Sequence, residues 1–163
     1  MNLSITSASV EERPVVERLL QLCLHDYSAY DRFSIGDDGA FTYRWTDLYW
    51  SSLQRTPYLM RFEGRLAGFA LVRESEIRGD WQWQLAEFFI LRARRRQGIG
   101  TEAARRILAS RRGVWEIGYD VANTPARGFW ASVLGAFDPA ARPAPAGPGR
   151  ERYLVRSTGQ ASG

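Results

Sequence analysis

The run Arg95-Arg96-Gln97-Gly98-Ile99-Gly100-Thr101 sets two glycines and two arginines between an apolar stretch and an amphipathic one. Residue types at that spacing suit a polyphosphate. Glycines lack a Cβ, so the backbone turns tightly and an anion reaches its N–H groups, while a helix N-terminus adds unpaired donors and the positive end of its dipole. Arginine offers phosphate a planar fork of donors. A second candidate is Glu87, a carboxylate inside Leu85-Ala86-Glu87-Phe88-Phe89-Ile90-Leu91. Apolar surroundings push a carboxyl group toward a neutral working pKa, which suits a general base; pairing with an Arg or binding a ligand is the alternative role.

These residues need a strand and a helix around them. Residues 85–91 are too apolar and aromatic for anything but a largely buried strand, and residues 102–111 carry Ala103, Ala104, Ile107 and Leu108 as one helical stripe. Upstream, residues 3–8 read as a strand and residues 12–30 as a helix with Val16, Leu20, Cys23, Tyr27 and Tyr30 on one face, His25 and Asp26 beside it. Residues 34–39 are turn chemistry, and residues 43–53 are expected to form a helix with Trp45, Leu48, Tyr49 and Leu53 inward. Residues 58–62 and 66–73 read as a hairpin through Glu63-Gly64-Arg65, and Arg78-Gly79-Asp80 turns into a strand over 81–91. Period-2 alternation puts Glu87 on the face of Trp81, Trp83, Leu85, Phe89 and Leu91 unless a bulge changes the phase. Trp115, Ile117, Tyr119 and Val121 alternate in the next strand, and Thr124-Pro125 starts a helix with Phe129, Trp130, Val133 and Leu134 buried. Residues 138–150 read as a coreless loop before a last strand over 152–156.

Two kinds of cofactor site fit the glycine loop. Gly98-x-Gly100-x-x-Ala103, with Asp120 downstream, matches a degenerate dinucleotide fingerprint. A dinucleotide loop, however, follows its strand directly, whereas residues 92–97 intervene here, and too little chain follows Asp120 for a doubly wound half. The pattern Arg-x-x-Gly-x-Gly from Arg95, together with Gly68-Phe69-Ala70-Leu71-Val72, the strand through Ile90 and the ordered series Asn123, Ala126, Phe129 and Trp130, instead resembles the GNAT superfamily of acyltransferases, in particular a bacterial group of predicted acetyltransferases.

That resemblance implies a single-domain α/β (α+β) fold: a mixed sheet of about six to seven strands and about four helices, with acetyl-CoA in a V-shaped gap between two central strands. It implies cofactor contacts at Ile90, Arg92, Arg95, Arg96, Gln97, Gly98, Ile99, Gly100, Thr101, Asn123, Phe129 and Trp130. Asn123 would orient the pantetheine arm or a water, with a helix-capping role equally open. Many members place a glutamate where this chain has Gln84 and a proton-donating Tyr where it has Trp130; an indole N–H donates a hydrogen bond but does not titrate near neutrality. Tyr119 is the substitute acid to consider. The expected reaction is acetyl transfer to a primary amine of a small-molecule or peptide acceptor in a ternary complex. A CoA-binding sensor without turnover is the alternative, favoured by Trp130.

At 163 residues and 45% hydrophobic content, the chain has enough apolar mass for one core, expected over residues 1–157 with a flexible tail at 158–163. No apolar run approaches the ~20 residues of a membrane span, and the first residues lack signal-peptide character, so a cytoplasmic protein is expected. One cysteine, Cys23, and one histidine, His25, leave no basis for a disulfide or a metal site. All 22 basic residues are Arg, read as the usage of a GC-rich genome. A pI near 9.6 would suit nucleic acid, but the arginines are scattered apart from the cluster at 92–96, so nucleic acid is not the expected partner. A homodimer is compatible with this reading. Asp31, Asp37 and Asp38 are weighed as attractors of a cationic amine against turn-forming roles. Gly100→Asp is expected to abolish acetyl-CoA binding and leave the fold intact.

Overall fold

The computed structural model describes residues 1–30, 33–75 and 79–159. In chain order it has β1 (Leu3–Ser7), α1 (Arg13–Tyr27), α2 (Leu48–Ser51), β2 (Arg55–Phe62), β3 (Arg65–Glu74), β4 (Trp83–Ile90), α3 (Ile99–Ala109), β5 (Gly113–Asp120), α4 (Thr124–Phe137), β6 (Pro143–Pro145) and β7 (Arg150–Ser157). One mixed sheet runs β1-β2-β3-β4-β5-β7-β6, antiparallel throughout except for the parallel pair β4 and β5. This is the expected α/β architecture of seven strands and four helices.

Strand alternation builds two cores. Met60, Ala70, Val72, Leu85, Ile90, Trp115, Ile117 and Val155 face α3 and α4, whereas Leu59, Phe69, Leu71 and Phe89 face α1 and α2. The first core extends under β5 and β7; the second stops at β4. Consequently β5 and β7 carry polar residues, Glu116 and Arg152 among them, on the face that no helix covers. The hairpin between β2 and β3 turns on Glu63 (φ 51°) and Gly64 (φ 76°), the two positive angles that a tight twisted turn requires.

The helix expected over residues 43–53 shrinks to one turn, α2. Only Tyr49 of its expected inward set is buried, and Leu53 is fully exposed. Arg44 and Arg55 both lie over the Trp45 ring, at 4.2 and 5.6 Å, and this stacking holds Trp45 in a pocket wall outside the helix. Helix α1 ends at Tyr27 and leaves Tyr30 exposed. Within the region read as a coreless loop, Pro143–Pro145 adds an edge strand to β7, the place in a sheet where proline's missing N–H is tolerated. Arg78 of the expected turn, Asp31 and residues 160–163 of the expected tail lie outside the described residues.

Trp130 is buried in the first core, its ring centroid 5.3 Å from that of Phe88 and 4.8 Å from that of Phe129, both edge-on. Its surroundings make it a packing residue, and removing a large buried aromatic leaves a cavity. Trp130→Ala should lower unfolding stability by ~3–5 kcal/mol, and Trp130→Phe by clearly less, in denaturant melts. Equal losses would contradict the packing role.

Candidate active site

Strands β4 and β5 run parallel but pair at only two positions, Trp83↔Trp115 and Gln84↔Glu116. Beyond Gln84 they part, while β4 stays paired to β3 as far as Gly68↔Ile90 and β5 stays paired to β7 as far as Asp120↔Arg150. The result is a V-shaped gap bounded by two strand edges whose backbone groups do not meet each other. Side chains close its apex. Arg73 Nε donates to Gln84 Oε1 (2.5 Å), Gln84 Nε2 donates to Glu116 Oε1 (2.5 Å), and Arg152 Nη1 donates to Glu116 Oε2 (2.6 Å). Arg152 Nη2 also reaches Asp80 Oδ2 (2.5 Å). Four strands are tied across the uncovered face by this series, in which every charged member has a partner, the condition under which half-buried polar groups stabilise rather than cost.

The glycine loop sits where β4 ends. A single 3-10 turn (Arg92–Arg94) is followed by Arg96 at φ 62° and Gly98 at φ 75°, and the first helical bond of α3 runs from Glu102 N to Gly98 O at 3.1 Å. The backbone amides from Arg96 to Thr101 donate to no group among the described residues. Six consecutive open donors thus stand at a helix N-terminus. Two of the loop's arginines are committed elsewhere: Arg92 Nη2 and Arg95 Nη2 donate to the two oxygens of Asp26 at 2.7 and 2.6 Å, and Arg95 Nε donates to Ile90 O at 2.8 Å. Burial raises the Asp26 pKa, but these two guanidinium contacts outweigh it and hold the carboxyl below its ordinary range. Arg92 and Arg95 thus clamp the loop to α1. Gln97 folds back onto Ala93 O. A Cβ at Gly100 would meet Ile90 Cγ1 and the Phe129 ring at 3.4 Å, so this glycine also lets α3 pack on β4 and α4. At that distance an added Cβ stands at the edge of ordinary contact, so Gly100→Asp bears chiefly on the open amides of the loop.

Glu87 owes its position to a bulge. The β3 pairing steps from Leu71↔Glu87 to Val72↔Leu85, leaving Ala86 extra, so Ala86 and Glu87 follow each other on the α1/α2 side. Trp83 and Leu85, expected on the Glu87 face, lie on the opposite one. Glu87 forms the floor of a cavity of about 540 Å³, walled by Phe33, Thr42, Tyr43, Trp45 and Tyr49 and by Arg44, Arg55 and Arg73. Burial lifts its pKa from 4.5 to about 7, against the pull of the Tyr43 hydroxyl, of Arg150 at the start of β7 and of the Tyr27 hydroxyl. Because Gln84 lines the same cavity, the pocket opens beside the apex of the gap.

On the far side, Asn123 Oδ1 accepts from Ala126 N at 3.1 Å and caps α4, the helix-end role weighed for it. Phe129 stacks on Phe88 with centroids 5.8 Å apart. The Tyr119 hydroxyl donates to Glu151 Oε2 at 2.8 Å, and burial followed by that carboxylate raises its pKa, which makes it a poorer acid. Asp37 and Asp38 take the turn role: Asp38 Oδ1 accepts from Ala40 N, and neither lines the pocket.

Sequence reading missed Asp26 as the loop's anchor and Tyr27, Tyr43, Arg55 and Arg73 as the surroundings of Glu87. Asp26 carried a signal: an acid in the last turn of a helix opposes the dipole and calls for a cationic partner.

Residues 17–136 match the sequence model of the acetyltransferase (GNAT) family. A comparison with curated proteins finds no match. Among solved structures, an acetyltransferase from Thermus thermophilus superposes with a TM-score of 0.69 at 15% identity, covering 96% of this chain and 97% of that one. Spermidine N-acetyltransferase from Vibrio cholerae, in complex with CoA and spermine, gives 0.66 at 10% identity, covering 96% of each chain. A putative acetyltransferase from Salmonella typhimurium with its cofactor acetyl-CoA gives 0.61 at 12% identity, covering 99% of this chain and 98% of that one. At these identities the likeness is one of fold.

A carboxyl whose folded pKa lies above its unfolded one binds the extra proton between 4.5 and about 7. Its contribution to stability is therefore full below 4.5, falls as pH rises through 7, and is flat above. Carbon NMR of the Glu87 carboxyl should titrate with a midpoint near 7, and Glu87→Gln should remove that fall from the stability profile. A midpoint near 4.5 would contradict the burial of this group.

Proposed function

Because the chain belongs to the acetyltransferase (GNAT) family, we propose that it moves the acetyl group of acetyl-CoA to a primary amine held in the Glu87 pocket. The observation that carries this reading is the placement of Glu87, with its pKa near 7, on the floor of a pocket beside the point where β4 leaves β5. The open amides of Arg96 to Thr101 would take the pyrophosphate. Unpaired backbone along the inner edges of β4 and β5 would hold the pantetheine arm, with Ile90 and Arg92 at the head of the gap and Phe129 packed behind the loop. Arg94 and Arg96, which make no ion pair among the described residues, leave positive charge at the loop surface.

In the reaction the amine nitrogen forms a bond to the thioester carbonyl carbon, the carbonyl electron pair moves to oxygen, and the intermediate collapses with rupture of the carbon–sulfur bond. Glu87 takes the proton from the ammonium. A backbone N–H on the open edge of β4 would stabilise the oxyanion. No side-chain acid is needed at the sulfur: a thiol of ordinary pKa near ~8.5 leaves as thiolate and takes its proton from water. That fits a chain whose Trp130 is packed in the core and whose Tyr119 hydroxyl is given to Glu151.

Glu87→Gln keeps the shape and loses the basic oxygen. Turnover should drop ~10²-fold or more, with acetyl-CoA affinity by calorimetry unchanged. Turnover near wild type with only a raised KM for the amine would make Glu87 a binding residue.

A further inference from the structure

The Glu87 pocket is lined by more positive than negative charge. Glu87 is the one carboxylate among its described lining residues, and at a pKa near 7 it is half neutral at physiological pH, whereas Arg44, Arg55 and Arg73 are fully charged. Two of these arginines are placed to receive an anion. Arg73 spends Nε on Gln84 Oε1 and lies 5.0 Å over the Trp81 ring, leaving both Nη atoms without a protein partner among the described residues. Arg44 rests on the Trp45 ring and makes no ion pair there. Tyr49, buried at 4% exposure, lines the same pocket with the Arg55 guanidinium 5.4 Å over its ring. Such a pocket repels a polyamine. It suits a molecule whose amine meets Glu87 and whose negative group meets the guanidinium fork.

We propose that the acceptor is a primary amine that also carries a carboxylate, held by Arg73 and Arg44 while Glu87 faces the nitrogen. The register suits one small molecule: Arg73 pairs across from Gln84 and Leu71 from Glu87, so the backbone positions that carry the two functions are two residues apart along β3, about 7 Å. The proposal rests on acetyl transfer at this site and adds the substrate class to it.

CoA release at saturating acetyl-CoA tests it with four groups of acceptors: the L-amino acids together with β-alanine and 4-aminobutyrate, the carboxamides of the same compounds, spermidine, and O-phosphoethanolamine. At least one carboxylate acceptor should have a kcat/KM about 10-fold or more above its carboxamide and above spermidine. Arg44→Gln, on an exposed segment away from the apex, should raise its KM about 10- to 100-fold, leave kcat nearly unchanged and narrow the preference over the carboxamide; Arg73→Gln, which also loosens the apex, should erase that preference whatever happens to kcat. Carboxamides or spermidine used as well as carboxylates, O-phosphoethanolamine preferred, or a preference untouched in both variants would overturn it. Acetyl-CoA binding by calorimetry with no carboxylate acceptor used would overturn it too, and leave acetyl transfer standing. If acetyl-CoA does not bind and nothing is turned over, both fall.

Discussion

Everything at this site depends on two parallel strands that pair for two residues and then separate. Unmade backbone bonds are costly when they are shut away from water, so the gap between β4 and β5 persists only because both strands are held on their outer sides, by β3 and β7, and pinned at the apex by the Arg73–Gln84–Glu116–Arg152 series. Gln84 is central to this arrangement: its amide joins both strands at their last shared pair. A glutamate there would set a second carboxylate against Glu116, a like-charge contact. The amide avoids that contact and leaves Glu87 as the carboxylate that lines the pocket.

The bulge at Ala86 couples that apex to the chemistry. Without the extra residue, Glu87 would continue the phase of Leu85 and point into the core under α3 and α4, where a charged group has no partner. With it, the carboxylate turns to the pocket wall made by Tyr43, Tyr49 and the stacked arginines. The resulting burial is sufficient to raise the pKa and still leaves access for a ligand. The loop on the other side is held with comparable economy: Asp26 at the end of α1 binds both Arg92 and Arg95, so the backbone amides of Arg96 to Thr101 are presented by a loop fixed at its base.

Much of this was legible in the sequence because it follows local rules. The loop and its helix were marked by Gly98 and Gly100, the hairpin by Glu63-Gly64, and the strands by alternation. What escaped came from long-range placement. Periodicity alone put Glu87 with Trp83 and Leu85, since a bulge leaves no local mark in Leu85-Ala86-Glu87. The helix expected over 43–53 had suitable spacing, but Trp45 is claimed by Arg44 and by Arg55, ten residues further along, and tertiary stacking overrode it. The pocket's arginines come from an irregular segment and the starts or ends of two strands, and only the folded sheet brings them together. Acids at Asp37 and Asp38 were visible in sequence but are occupied with their own turn.

The central claim is that the parted edges of β4 and β5 and the glycine loop form one continuous ligand surface. Amide hydrogen exchange, resolved by residue with and without saturating acetyl-CoA, tests this directly. Protection should rise together at Arg96 to Thr101 and along the diverging segments, residues 85–90 and 117–120, while β1 and β2 stay unchanged. Protection confined to the loop, or none at the strand edges, would contradict it.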